Sequence, residues 1–145
     1  MAERYTLTVE REIPGPIDAV FDAWLDAATM ARWMTPAPEI SVDVASDPVV
    51  AGRFRVVMKG RGREITHLGE YLVIERPTRL VFTWQSGPAG DTLVTVDFTR
   101  VTDQRTLVTL THERFPTGEQ RDLHRDGWTA LLETLAGVIT EMEAR

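Results

Sequence analysis

The chain has 145 residues, of which 43% are hydrophobic and 26% are charged, and it contains no cysteine. A chain of this length buries roughly 68% of the surface that its unfolded form exposes, which allows one hydrophobic core. We therefore expect a single domain over residues 1–145. The lack of cysteine excludes disulfides, cysteine-based zinc sites and iron–sulfur clusters. The formal charge of -6 has the wrong sign for holding a nucleic-acid backbone.

The sequence contains neither a secretory signal nor a membrane span. The first ten residues, MAERYTLTVE, have no basic stretch and no apolar block of the kind that opens a signal peptide. No window approaches the roughly 18 consecutive apolar residues that a membrane-spanning helix needs. These features predict a cytoplasmic protein.

The N-terminal part predicts one strand followed by two short helices. Residues 5 to 13 alternate apolar and polar side chains, which is the period of a strand with one buried face. Pro16 suits a first helical position, and apolar residues at helical spacing follow from residue 17 to 25. Asp26 can cap a second short helix, which must end before Pro36.

From residue 39 to about residue 115, short β-rich runs are divided by turn residues, and this pattern predicts six strands joined by hairpins. Several strands carry their apolar residues on one face, for example Phe54, Val56 and Met58, or Val108, Leu110 and His112. The stretch from Ile65 to Ile74 is apolar on both faces, so the sequence leaves its orientation open.

The last element is predicted to be a long helix. Thr117 and Gln120 have the spacing of a capping box at its start. Apolar residues then recur every three or four positions, at Leu123, Trp128, Leu131, Leu135, Val138 and Met142. A sheet with one apolar face and a helix with one apolar stripe bury both surfaces by packing together. We therefore predict an α+β fold, with a curved seven-stranded antiparallel sheet wrapped around the C-terminal helix.

Five segments carry a resemblance to a known superfamily. They are PGPIDAVFDAWLDAATMARWM at 14–34, DPVVAGRFRVVM at 47–58, GEYLVIERPTRLVFTW at 69–84, TLVTLTHERF at 106–115 and HRDGWTALLETLAGVI at 124–139. In order and spacing, they resemble the SRPBCC or START-like superfamily. The resemblance is to the branch similar to the C-terminal domain of the activator of the heat-shock-protein-ninety ATPase.

The resemblance implies a helix-grip fold with a cavity between the long helix and the sheet, where superfamily members bind lipids, polyketides, plant hormones or other apolar molecules. The sequence departs from the family pattern at two positions. Ala51 stands where the pattern often has a glycine, in a hairpin, and Met34 stands where it often has a second aromatic residue, near the cavity mouth.

Aromatic, apolar and histidine side chains on the inward faces are the candidate lining of that cavity. The candidate ligand-binding residues are Trp33, Phe54, Met58, His67, Tyr71, Trp84, Phe98, His112, Trp128 and Leu131. Trp24 is assigned to the core, because it continues the apolar stripe of the first helix. Trp33 and Trp84 fit a core position as well as a cavity mouth. Gly127 leaves space beside Trp128, either for a ligand or for close packing.

The three histidines are the polar candidates. His112 has the inward parity of its strand, where it could act as an acid or base with Tyr71 as a helper. We favour the alternative, in which a neighbouring Tyr, Thr or water satisfies a structural His112. We expect His124 to be solvated. The spacing of the histidines predicts no metal site, and no cofactor is expected.

Three functions compete at this point. The first is noncatalytic binding of a small hydrophobic or amphipathic molecule in the cavity. The second is a polyketide cyclase or hydrolase-like enzyme that uses His112. The third is a chaperone-interacting module, by analogy with the activator that the sequence resembles. We interpret the basic cluster Lys59, Arg61 and Arg63 as a solvated hairpin tip, and we expect a monomer or a homodimer.

Overall fold

The computed structural model describes residues 5–86 and 90–144. Its helices and strands follow the predicted order, and their bounds are β1 (Tyr5–Ile13), α1 (Ile17–Asp22), α2 (Ala27–Trp33), β2 (Ser41–Ser46), β3 (Arg53–Gly60), β4 (Arg63–Glu75), β5 (Arg79–Gln85), β6 (Asp91–Thr102), β7 (Arg105–Phe115) and α3 (Gly118–Glu143). Residues 87–89, within the predicted turn between β5 and β6, lie outside the described residues.

The seven strands form one antiparallel sheet in the order β1-β7-β6-β5-β4-β3-β2. Each strand from β2 to β7 pairs with its neighbour in the chain, as hairpins require, and β1 joins the sheet beside β7. The helix α3 packs across the inner face of this sheet. The predicted curved sheet with a long C-terminal helix and two short helices after the first strand is confirmed.

A β-bulge explains why the sequence left the orientation of β4 open. Tyr71 pairs with Phe82 and Ile74 pairs with Leu80, with a register shift between Tyr71 and Val73. Tyr71 and Ile74 both contact the core although they are three residues apart, and Leu72 between them is exposed. The extra residue of a bulge reverses the alternation in this way. N-terminal to the bulge, His67 is buried in the same inward set.

Side-chain caps begin both α2 and α3. Asp26 accepts a hydrogen bond from the backbone N–H of Thr29 at 3.0 Å, and Thr117 Oγ1 accepts one from the N–H of Gln120 at 3.1 Å. The buried face of α3 consists of Trp128, Leu131, Leu132, Leu135, Ala136 and Ile139. Leu123 is 58% exposed, which corrects its predicted place on the buried stripe, because its side chain lies at the rim of a pocket between α3 and the sheet.

Aromatic side chains fill much of the space between α3 and the sheet. The buried ones, each no more than 4% exposed, are Phe21, Trp24, Trp33, Phe54, Tyr71, Phe82, Trp84, Phe98, Phe115 and Trp128. Trp24 lies at their centre, with ring contacts to Trp33, Phe98 and Trp128 at centroid distances of 4.6 to 6.2 Å. Edge-to-face and stacked contacts at such distances stabilise a core beyond the area that they bury.

Ala51 adopts the left-handed backbone conformation, with φ of 70°. Its N–H donates a hydrogen bond to the carbonyl oxygen of Tyr71 at 2.8 Å, which holds the loop between β2 and β3 against β4. Glycine adopts this conformation at little cost, whereas alanine does not. The departure from the family pattern at this position therefore costs stability in the hairpin and leaves the interior unchanged.

Candidate functional site

A pocket of about 220 Å³ lies between the N-terminal half of α3 and the neighbouring ends of β3, β4 and β5. The sheet contributes Met58, Ile65, His67 and Trp84, the helix contributes Gln120, Leu123, His124, Gly127, Trp128 and Leu131, and connecting segments contribute Pro36 and Ser86. Most of this lining is apolar. Gly127 leaves room on the helix side, since a Cβ atom built there meets no heavy atom within 4 Å.

The structure divides the candidate residues from the sequence into two groups. Met58, His67, Trp84, Trp128 and Leu131 line the pocket. Trp33, Phe54, Tyr71, Phe98 and His112 are buried in the core and do not line it. Trp33, for example, donates its indole N–H to the carbonyl oxygen of Ala23 at 2.9 Å. The space between helix and sheet is thus packed along most of its length and opens at one end.

His67 and Trp84 lie side by side in the pocket wall, which also contains the polar side chains of Ser86, Gln120 and His124. The rings of His67 and Trp84 stack, with centroids 4.6 Å apart and an angle of 21° between the planes. His67 is 8% exposed and Trp84 is 2% exposed. Neither His67 Nδ1 nor Trp84 Nε1 has a hydrogen-bond partner among the described residues. A buried polar atom without a partner costs about 1–3 kcal/mol, and Trp24 Nε1, which does not line the pocket, is a third such atom among the described residues.

His67 is neutral at physiological pH. Burial, with a smaller contribution from the nearby His124, lowers its pKa from 6.5 to about 4. A neutral imidazole offers one donor and one acceptor nitrogen. The His67 ring can therefore either give or receive a hydrogen bond at the pocket, but it brings no charge.

His112 lies deeper and uses both of its nitrogens. Trp128 Nε1, which can only donate, gives a hydrogen bond to His112 Nδ1 at 2.9 Å. The proton of the neutral ring is therefore on Nε2, which donates to Thr92 Oγ1 at 2.6 Å, and the Thr92 hydroxyl donates to the carbonyl oxygen of Trp84 at 2.6 Å. Burial lowers the pKa of His112 far below its usual value. The ring is held in one tautomer with no free hydrogen-bonding group.

His124 is partly buried, which corrects the expectation that it would be solvated. Its Nδ1 donates to the carbonyl oxygen of Gln120 at 2.8 Å, so Nε2 is an acceptor when the ring is neutral. The ring contacts those of His112 and Phe115, at centroid distances of 5.2 and 4.9 Å. Burial lowers its pKa, while the bond to the backbone opposes that shift.

The pocket has no formal charge at physiological pH. None of its lining residues is Lys, Arg, Asp or Glu, and burial lowers the pKa of both lining histidines, His67 and His124. In residues 5–86 and 90–144, no group of three or more His, Asp or Glu side chains is placed to hold a metal ion. Within the same residues, no helix has the length and apolar character to cross a membrane.

A curved antiparallel sheet closed by a long C-terminal helix, with two short helices after the first strand, defines the helix-grip fold of the SRPBCC superfamily. Residues 14–140 match the family described as activator of Hsp90 ATPase homolog 1-like protein, and the chain belongs to this family. No curated protein matches the sequence.

Solved structures share the fold at low sequence identity. An AHSA1-like protein from Aeromonas hydrophila is 24% identical, with a TM-score of 0.81, over 97% of this chain and 96% of that one. Protein SA2116 from Staphylococcus aureus is 16% identical, with a TM-score of 0.85, over 99% and 98% of the two chains. CalU16 from Micromonospora echinospora is 23% identical, with a TM-score of 0.72, over 96% and 79%. These likenesses establish the fold.

Proposed function

We propose that the protein is a noncatalytic binding domain that holds a small, largely apolar molecule in the pocket between α3 and the sheet. The observation that carries this proposal is the pocket itself, whose lining is mostly apolar, includes the buried residues His67 and Trp84, and leaves open space beside Gly127. Binding sites combine an apolar lining with a few polar groups that orient the ligand.

The dimensions of the pocket limit the ligand. Its volume of about 220 Å³ equals the liquid volume of about seven water molecules at about 30 Å³ each. Leu123 and Ile65, which are 58% and 44% exposed, extend the apolar lining outward at the rim. The enclosed part of the ligand is therefore about the size of a single ring, and any larger part contacts the exposed rim.

A matched pair of glycine substitutions on α3 tests the proposal. Gly127→Leu places a side chain at the pocket, while Gly137→Leu adds the same side chain at a position that does not line it. At both positions a Cβ atom meets nothing within 4 Å. Each substitution also raises helix propensity, by up to about 1 kcal/mol, so both variants should fold.

We expect benzyl alcohol, titrated into the uniformly ¹⁵N-labelled protein, to shift the indole signals of Trp84 and Trp128 in a saturable way. The Gly137→Leu variant should behave like the parent chain, and the Gly127→Leu variant should lose the shifts. If the parent chain shows no saturable shift with this probe or with toluene, the proposed function is wrong. Equal binding by the two variants would place the ligand elsewhere.

The other functions predicted from the sequence have less support. Catalysis by His112 would need a substrate to reach the ring, which is 0% exposed and has both nitrogens hydrogen-bonded to other side chains. The suggested helper, Tyr71, bonds instead to Ser46, with 2.8 Å between the hydroxyl oxygens. A chaperone partner, the oligomeric state and the cytoplasmic location all stay predictions.

A further inference from the structure

We propose that a groove on the outer face of the sheet is a second binding site, which takes a small organic anion with one carboxylate group and an apolar part. The groove has a volume of about 640 Å³ and crosses β2, β3, β4 and β5. Among the described residues, it shares no lining residue with the pocket beneath α3, so this inference does not depend on the proposed function.

The groove lies on the side of the sheet that faces away from α3. Arg53 and Arg55 line it and are exposed, and they alternate along β3 with the buried residues Phe54 and Val56. Successive side chains of a strand point to opposite faces, and residues two positions apart are separated by about 7 Å. The strand β3 therefore presents two neighbouring positive charges to the solvent.

These two charges are not neutralised by ion pairs. Within residues 5–86 and 90–144, neither Arg53 nor Arg55 has a carboxylate oxygen within 4 Å. Lys59, on the same face of β3, differs in this respect, because its Nζ contacts Asp43 at 2.9 Å and Glu64 at 3.9 Å. In a chain with a formal charge of -6, the two arginines are a local reversal of charge.

The neighbouring strands make Arg55 the better position for an anion. The two carboxylates in the lining, those of Asp47 and Glu70, belong to residues that both lie across from Arg53. Arg55 lies instead between an alanine of β2 and Leu68 of β4. An anion at Arg55 therefore meets a positive charge whose neighbours on both strands are uncharged. A guanidinium group can bind a carboxylate through two parallel hydrogen bonds.

Leu68 defines the apolar part of the ligand. Its side chain lies across from Arg55 and is 43% exposed, so an apolar group attached to the carboxylate can cover it. The backbone beneath is held in place, because the N–H of Glu70 donates to Thr83 Oγ1 at 2.9 Å. Binding to such a preformed surface loses little conformational freedom.

Benzoate, acetate, benzyl alcohol and benzylamine test the inference, since they differ in charge and in the apolar ring. Each is titrated at neutral pH into the uniformly ¹⁵N-labelled full chain, and the readout is the Nε–H signal of Arg55 with the backbone amide of Leu68. We expect benzoate to shift both signals in a saturable way and to bind there about tenfold more tightly than benzyl alcohol, the ratio that one charge-assisted hydrogen bond supports. Acetate should bind more weakly than benzoate, and benzylamine should not bind.

Two arginine variants isolate the anchor. Arg55→Gln and Arg63→Gln each remove one exposed positive charge from the same side of the protein chain's β3–β4 hairpin, but Arg63 does not line the groove. Both variants should fold, because surface substitutions change stability by about 0.5 kcal/mol or less. Benzoate binding should weaken about tenfold in Arg55→Gln and change little in Arg63→Gln. It should also weaken several-fold between ionic strengths of about 0.01 M and about 1 M, as the Debye length falls from about 30 Å to about 3 Å.

Equal benzoate binding by the two arginine variants, equal binding of benzoate and benzyl alcohol at the groove, or shifts that do not saturate would overturn the inference. If benzoate shifts the indole signals of Trp84 and Trp128 instead, and Gly127→Leu abolishes those shifts, the anion occupies the pocket and the groove is not its site. Groove shifts with benzoate that persist while benzyl alcohol and toluene leave the indole signals unchanged would support this inference and count against the proposed function.

Discussion

His67 and His112 have much in common and differ in one respect. Both lie on strands with their side chains toward α3, both are buried, and burial lowers the pKa of both. His112 uses each ring nitrogen in a hydrogen bond, whereas His67 Nδ1 has no partner among the described residues. Burial and inward parity are therefore not enough to identify a functional histidine. The hydrogen-bond partners and the position in the pocket wall separate the two rings.

The two histidines are connected through Trp84. The hydrogen-bond chain that begins at Trp128 and passes through His112 and Thr92 ends on the backbone oxygen of Trp84. The indole of the same residue stacks on His67. The hydrogen-bond chain thus holds β5 in place at Trp84, although the indole N–H of Trp84 has no partner among the described residues. Replacing His112, which belongs to the hydrogen-bond chain, should therefore lower stability, whereas replacing His67 should change stability little.

The largest effect should come from replacing His112. In His112→Leu, Trp128 Nε1 loses the acceptor that it has among the described residues, and Thr92 loses a donor. We expect the free energy of unfolding to fall by about 3 kcal/mol, because a lost bond and a buried group left unpaired each cost about 1–3 kcal/mol.

His67→Leu is the matched variant. It removes a polar ring whose Nδ1 makes no hydrogen bond, so stability should stay within about 1 kcal/mol of the parent chain. Urea denaturation at neutral pH measures both variants. An equal loss of unfolding free energy in His112→Leu and His67→Leu would show that the two histidines do not differ in this way.

The second effect is the dependence of stability on pH. His67 is neutral in the folded chain, with its pKa lowered from 6.5 to about 4, so below pH 6.5 the unfolded chain binds a proton that the folded chain does not. Stability should therefore fall as the pH decreases from 6.5 to about 4, by up to about 1.4 kcal/mol per pH unit for each such histidine.

The variant His67→Leu isolates this contribution. Between pH 6.5 and about 4, its free energy of unfolding should fall less steeply than that of the parent chain. The difference between the two slopes should equal the contribution of one histidine. Above pH 6.5 the two slopes should agree, because His67 is then neutral in both states. A parallel pair of curves over the acid range would show that His67 titrates normally in the folded protein.

The smallest effect tests the middle of the network. Thr92→Val keeps the shape of the side chain but removes the hydroxyl that joins His112 to the backbone of Trp84. We expect a loss of about 1–2 kcal/mol in denaturation experiments. Thr95→Val, on the opposite face of β6, should change stability by no more than about 0.5 kcal/mol. If Thr92→Val does not lower the free energy of unfolding, the hydrogen bond from Trp128 alone is enough to hold the His112 ring.

Local patterns predicted most of the fold because the physical cause of each element is local. Alternation identified the strands, and Asp26 and Thr117 marked the starts of α2 and α3 through side-chain caps that the structure contains. The facing of β4 could not be predicted, because the bulge near Leu72 depends on pairing with β5. A single residue inserted into a ladder leaves no periodic signal of its own.

The pocket was predictable only in part. Strand parity placed Met58, His67 and Trp84 on the inner face, but parity does not show which inner residues are covered by other rings. On α3, a usable signal was missed: His124 lies four residues before Trp128, on the same helical face, and both line the pocket. Whether a polar atom has a partner depends on distant segments, so no local pattern could reveal the unpartnered donor on Trp84.

The hydrogen bond between Trp128 and His112 has a consequence for the rate of ligand exchange. It ties the centre of the pocket's helical wall to β7, so α3 cannot turn about its axis or lift from the sheet without breaking a buried bond. Access then depends on the exposed rim, where Pro36, Ile65 and Leu123 lie. Exposed side chains change rotamer within nanoseconds, whereas helix movements take microseconds to milliseconds. A ligand of the proposed kind should therefore exchange rapidly while the backbone stays in place.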